Sequence, residues 1–333
     1  IMLTSQISTV LATHPDPLGV LQTTAYVVEH ARAVRIEPKA IARAADALAE
    51  QRIEPPAWNY DLHFHDGTPR TVNYLFLLDT LNFCFWGKPK WGIVYRRKKL
   101  DGYWALAAAL KRAAQKNPRL LNADFMARLS PRDLAQILRG NTTIPLFIER
   151  WRNIRELGTV LKNLWRSQAT RLVECAERDA GRLAQIIAES FPSFNDITVY
   201  DHHEVRFFKR AQILVADLWG AFGGKDWGAF ENIDALTAFA DYKLPQILRA
   251  WGILKYAPTL ARQIDAQIEL AKDSPEEIEI RAATLWAVEF LRVALAERGR
   301  TLVSLQVDWI LWQASQGRVE GMKPYHHTRT IYY

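Results

Sequence analysis

The sequence predicts a mainly α-helical protein trimmed with small β-hairpins, and three observations carry that prediction. Apolar residues recur at three- and four-residue spacing, as in Leu146, Ile148, Trp151, Ile154, Leu157, Val160, Leu161 and Leu164, which paints one stripe along a long helix. Helix start signals support the pattern: Ser130 before Pro131, and Ser274, Pro275, Glu276, Glu277, which read as a capping box with proline at the first helical position. Against these stand only two β signals, too few for a central sheet.

Taken along the chain, residues 53–71 form an irregular stretch that holds Asp61, Leu62, His63, Phe64, His65 and Asp66. Residues 91–95 and the charged turn through Asp101 and Gly102 read as a first hairpin, with Arg96, Arg97, Lys98 and Lys99 as a solvated turn. The striped helix follows near 146–164. A second hairpin pairs residues 197–200 with 205–208 across Asp201, His202 and His203, which places both histidines in solvent. Lys209 and Arg210 start the next helix, and residues 223–232 are irregular. Pro245 opens a helix near Leu244, the helix from Ser274 runs to about Gly299, and another covers residues 302–316. The tail after Gly317 is basic but ends in Ile331, Tyr332 and Tyr333, which predicts that it docks on the body. With no repeat and no Pro/Gly/Ser linker, residues 1–333 read as a single helical domain.

Composition narrows the class. At 333 residues and 49% hydrophobic, the chain can bury a large core. No run of eighteen apolar residues occurs, and the first thirty residues carry charges where a signal peptide needs an apolar stretch, so neither secretion nor membrane insertion is expected. Cys84 and Cys175 lie in apolar helical patterns, read as small buried hydrophobes, and fit a reducing compartment, the cytoplasm. Neither has a CxxC partner, and His63 with His65 lacks a third ligand at useful spacing, so no metal or organic cofactor is expected. The net charge of +7 favours anionic ligands without choosing among them.

The most informative stretch is Phe239, Ala240, Asp241, Tyr242, Lys243, Leu244, Pro245, Gln246. It sets one acid at the rim of a helix and a flat ring two residues before it, a pairing suited to a planar base on a sugar. N-glycoside cleavage develops a ribosyl cation, which an ionised carboxylate can stabilise, attack, or serve by orienting water. Asp241 is therefore the catalytic candidate. The competing reading is that Asp241 only caps the helix. Asp308, between Val307 and Trp309 and one turn before Trp312, is either a carboxylate in aromatic surroundings or a charge on a wet face. Phe239 is either a stacking platform or ordinary core. Asp79 and Asp217, inside apolar helical runs, read as structural acids needing partners.

Five ordered blocks, NYLFLLDTLNFCFW at 73–86, FKRAQILVADLW at 208–219, FADYKLPQ at 239–246, EIRAATLW at 279–286 and HHTRTIYY at 326–333, together resemble the queuosine 5′-phosphate N-glycosidase family, the queuine-salvage hydrolases. The resemblance implies hydrolysis of queuosine 5′-monophosphate to queuine and ribose 5-phosphate. It also implies a fold similar to helix-hairpin-helix DNA glycosylases, with the matching element at the helix from Leu244, the turn near Gly252 and the helix after Pro258. It favours Asp241 as the catalytic acid and Asp308, Phe239, Ala240, Trp312 and Gln313 around the base, although Gln313 stands where related chains carry an acid. His63, following Leu62 as in the family pattern, becomes a base contact. For the phosphate, Lys209, Arg329 and Tyr332 are singled out as donors, with Arg210, His326 and His327 nearby in sequence. The expected partner is the small-molecule nucleotide, with no nucleic acid or membrane bound and the chain acting as a monomer. The alternative is a nucleic-acid-binding base-excision protein, motivated by the basic charge and the implied fold.

Overall fold

The computed structural model describes residues 2–317 and 319–333. Among them are fifteen α-helices and six strands of three or four residues, paired into three two-stranded antiparallel sheets. The mainly helical expectation holds. The chain divides into two compact units, one of Ile1–Pro56, Asp196–Lys209 and Ile233–Arg329, the other of Ala57–Asn195, Arg210–Asn232 and Thr330–Tyr333. Because the segments alternate along the chain, no single linker marks the division.

The first unit is built on the helix Pro275–Glu297, which is buried on every face from Glu277 to Leu291. Ser274 caps it by accepting from the Glu277 N–H at 3.4 Å. The reciprocal half of the expected box differs: the Glu277 carboxylate accepts from the Asp273 N–H at 3.2 Å. The helices Val20–His30, Pro38–Gln51 and Ser304–Gln316 pack against this axis. Charges inside so apolar a setting must be satisfied. Glu279 accepts from three successive backbone N–H groups, Arg32, Ala33 and Val34, at 3.1, 2.6 and 3.0 Å, and from the Tyr200 hydroxyl at 2.9 Å. That carboxylate keeps the Tyr200 phenol well above its usual range, with burial as the larger cause. It also sets the start of strand Val34–Ile36, which pairs with Leu254–Tyr256, a ladder the sequence did not announce. Glu289 is held similarly by Arg292 at 2.9 Å and by Ser304, which His14 contacts at 3.2 Å.

The second expected hairpin is present with a corrected register. Ile197–Tyr200 pairs with His203–Arg206, and only Asp201 and His202 form the turn, both at positive φ as a two-residue hairpin loop requires. Phe207 and Phe208 therefore fall outside the strand.

In the second unit the helix Phe147–Leu164 packs on Pro69–Thr80 and Ala123–Ala127. Its buried face is Arg150, Ile154, Leu157 and Leu161, while Ile148 and Leu164, assigned to the stripe from the sequence, are 44% and 64% exposed. Gly158 permits the close approach to Ala123–Ala127, since a Cβ there would lie 2.2 Å from the Ala127 nitrogen. The buried Arg150 guanidinium donates to the carbonyls of Leu81, Phe83 and Cys84, and Arg210 donates to those of Asp79, Thr80 and Ser193. The Phe83 ring lies beneath both, at 4.2 and 5.1 Å.

The remaining sequence expectations resolve individually. The first hairpin pairs Gly92–Tyr95 with Lys98–Asp101, so only Arg96 and Arg97 are turn residues and Lys98 and Lys99 belong to a strand. Cys84 is buried, but in a non-helical segment at φ 42°, and Cys175 is exposed at the end of Ala169–Cys175, contrary to the buried reading. The tail docks as expected: Tyr333 is buried and its carbonyl accepts from the Cys84 N–H at 2.8 Å. No helix of the described residues is long and apolar enough to cross a membrane.

Replacing Glu279 by alanine removes the acceptor of three N–H groups, that of Val34 buried and those of Arg32 and Ala33 part-buried, and leaves the Tyr200 hydroxyl only the His30 carbonyl at 3.3 Å. An unsatisfied buried group costs about 1–3 kcal/mol, so the variant should lose about 2 kcal/mol or more of unfolding free energy in urea titration. A loss under about 1 kcal/mol would contradict this role.

Candidate active site

Residues 236–240 of the first unit are buried and not helical, so their backbone needs partners outside regular structure. One partner decides the local geometry. The Phe239 N–H donates to Oδ2 of Asp308 at 2.7 Å, tying the segment to the helix Ser304–Gln316. Two residues on, Oδ1 of Asp241 accepts from the N–H groups of Lys243 and Leu244 at 2.7 and 2.8 Å. These are the first two residues of the helix Lys243–Ala250, which begins two residues before Pro245. Pro245 is the third helical residue, where its missing N–H leaves nothing to satisfy. Asp241 thus does cap the helix, but with one oxygen. Its Oδ2 makes no hydrogen bond among the described residues, and the side chain keeps partial solvent contact.

The electrostatics separate the two acids. Asp241 is raised above the usual carboxylate value, by burial first, although Lys209, the two capping N–H groups and Lys243 pull it back. Asp308 is driven well above the usual carboxylate range, by burial first and by the negative charge of Asp241, against the Phe239 N–H and Lys209. Of the two, Asp308 holds its proton more tightly, through burial first and then the charge of Asp241. A carboxyl group with one open oxygen beside a second one raised further is a pair whose environments have pushed their proton affinities apart, the usual setting for acid and base roles. Lys209, buried as the first residue of Lys209–Ala221, carries the cation that acts on both.

The other residues singled out from the sequence fall as follows. Phe239 and Ala240 are buried beside Asp241. Trp312 is half-buried four positions after Asp308 on the same helix, hence on the same face, and Gln313 turns outward to solvent. Arg329 is exposed and pairs with Glu269 at 3.2 Å. Arg210 belongs to the second unit, where carbonyls hold it.

His63 and Tyr332 also belong to the second unit. His63 is buried, with Nδ1 2.7 Å from the Asn59 carbonyl and Nε2 2.8 Å from the Tyr103 hydroxyl, and the Trp58 ring stacks 4.2 Å away. A carbonyl only accepts, so Nδ1 carries the hydrogen and Nε2 accepts from Tyr103. Burial lowers the pKa of this imidazole to about 4, so the ring is neutral at physiological pH. The Tyr103 hydroxyl also lies 3.5 Å from Oδ2 of Asp217, which competes with His63 for its one hydrogen at the longer distance. Tyr332 is half-buried, its N–H donating to Thr330 at 3.1 Å.

Sequence reasoning missed Asp196 and Arg281. They form a buried two-toothed ion pair at 3.1 and 2.6 Å, and Oδ2 of Asp196 accepts from the Lys209 N–H at 3.3 Å. The available signal was Arg281 in a helix with no polar side.

The family model of queuosine salvage proteins matches residues 62–333. A protein of Sphaerobacter thermophilus named queuosine 5′-phosphate N-glycosylase/hydrolase is 50% identical over 96% of this chain and 98% of its own. Relatives of the same name from Mus musculus and Dictyostelium discoideum are 35% and 33% identical, covering 95% and 96% of this chain and 99% and 100% of theirs.

Two measurements test the electrostatics. An imidazole whose folded pKa lies near 4 against 6.5 unfolded binds its proton more readily in the unfolded chain. Stability should therefore fall by about 3 kcal/mol as pH drops from 6.5 to 4, and His63→Gln should flatten that slope in urea titrations. Asp308 has the opposite sign: raised in the folded state, it favours folding below the unfolded value of about 3.9 and loses that contribution as pH rises. Asp308→Asn, which mimics the protonated acid, should gain stability relative to the parent between pH 4 and pH 7.5.

Proposed function

This chain belongs to the queuosine salvage protein family, and from that premise we propose that it hydrolyses the N-glycosidic bond of queuosine 5′-monophosphate, releasing queuine and ribose 5-phosphate, with Asp241 as the catalytic carboxylate. The chain is an N-glycosyl hydrolase. The observation that carries the assignment of Asp241 is the division of its carboxylate: Oδ1 is fixed by the helix it caps, and Oδ2 is left open. A capped carboxylate is held in one orientation, so the open oxygen can meet a developing charge without reorganising.

As the C1′–N bond lengthens, its electron pair leaves with the base and positive charge gathers on the sugar. Asp241, ionised, stabilises that charge through Oδ2. Water then delivers hydroxide to C1′ and, overall, a proton to the departing base. A 7-deazapurine has carbon where a purine has N7, so protonation there cannot assist departure. We assign Asp308 to the base, together with Phe239, Ala240 and Trp312 and, on the family resemblance alone, the exposed Gln313, because a carboxyl that burial drives toward its protonated form can donate a hydrogen bond to the base edge. Lys209 and Arg329 are the proposed cationic donors to the 5′-phosphate. The roles proposed for His63, as a neutral base contact, and for Tyr332, as a phosphate donor, rest on the family resemblance. The reading needs no cofactor.

Asn at position 241 can still cap the helix through its side-chain oxygen. Asp241→Asn should therefore melt within a few degrees of the parent while losing on the order of 10³-fold in turnover, followed as queuine release by chromatography. Near-parental turnover in a folded variant would remove Asp241 from the mechanism.

A further inference from the structure

Asp196 makes three successive backbone residues converge. Its carbonyl accepts from the N–H groups of Phe207 and Phe208 at 3.0 and 3.3 Å, and its carboxylate accepts from that of Lys209 at 3.3 Å. Phe208 is held at φ 47°, a left-handed conformation that a bulky residue does not adopt unless its surroundings enforce it. The enforcing group is Arg281. It grips both oxygens of Asp196 at 3.1 and 2.6 Å, lies 3.8 Å over the Phe207 ring, and sits 3.8 Å from the Glu277 carboxylate one helical turn back. All of these groups are buried on or against Pro275–Glu297, the most enclosed helix of the unit. A kink this constrained fixes where the following residue starts its helix, and that residue is Lys209.

Resting on the reading of Asp241 as the catalytic carboxylate, we infer that Asp196 and Arg281 are positioning residues, which hold the Lys209 ammonium in register with Asp241 and Asp308. Their loss acts on the reaction through Lys209 alone. A displacement of about 1 Å in such a group can cost on the order of 10²-fold in rate.

The charged groups that face Asp241 are Lys209, Lys243 and Asp308, so moving the Lys209 cation away disfavours the ionised form of Asp241. Asp196→Asn keeps the acceptors for the N–H groups and breaks the ion pair. With queuosine 5′-monophosphate as substrate, it should lower kcat about tenfold or more and move the acidic limb of the kcat–pH profile upward. Lys209→Met should move that limb the same way, and the double variant should fall no further than Lys209→Met alone. If Asp196→Asn does not fold, Arg281→Lys, which keeps the charge but loses the two-toothed grip, is read by the same profile and the same pairing with Lys209→Met. Additive losses, or an acidic limb that stays in place while the rate drops, would overturn the inference and leave Asp196 merely structural. The reading beneath it fails differently, by turnover persisting in Asp241→Asn.

Discussion

Two carboxyl groups whose charges repel, Asp308 buried and Asp241 half-buried, share one buried cation in the first unit, Lys209. The rest of the site follows from how that imbalance is settled. Asp241 receives more help, from Lys209, from Lys243 and from two helix N–H groups, so it ionises the more readily, while burial and the charge of Asp241 together hold the proton on Asp308. The same N–H groups that stabilise the charge also orient it. Helix capping and chemistry are alternatives only if an aspartate has one oxygen to give.

The helices were legible because their signals are local. Serine and proline before an apolar run, and a period near 3.6, bracket Pro275–Glu297 to within two residues at either end. What escaped is non-local or too short to show a period. The strands Val34–Ile36 and Leu254–Tyr256 have three residues each and no turn between them, so neither alternation nor a hairpin signal marks them. Asp241 and Asp308 could be picked out singly, from aromatic and apolar neighbours. The hydrogen bond that links Asp308 to the Phe239 N–H joins positions 69 apart and leaves no trace in either local pattern. Arg281 has its partner Asp196 far away in sequence, although its neighbours Ile280, Ala282, Ala283, Leu285 and Trp286 leave that helix no wet side.

The buried cations fall into two kinds. Arg281 is balanced by carboxylates, and removing one partner leaves a charge with nowhere to go. In the second unit the guanidinium groups of Arg150 and Arg210 are bonded to backbone oxygens, five of them on the short run from Asp79 to Cys84. Asp79 and Thr80 end the helix Pro69–Thr80 and the rest of the run has left it, so its carbonyls have few helical partners and the arginines supply the missing donors. Guanidinium suits this task because five fixed donors reach several acceptors at once, which an ammonium cannot do from a single point.

The alternation of segments between the two units bears on how the protein is made. The first core needs residues as late as Arg329, and the second takes its last strand of chain, Thr330–Tyr333, from the extreme end. Each core is therefore assembled through contacts of large sequence separation, which lengthens the interval before it closes. During that interval the apolar helices are without their final partners, so production in a cell at high temperature or high expression should strain chaperone capacity more than the modest size of the chain suggests.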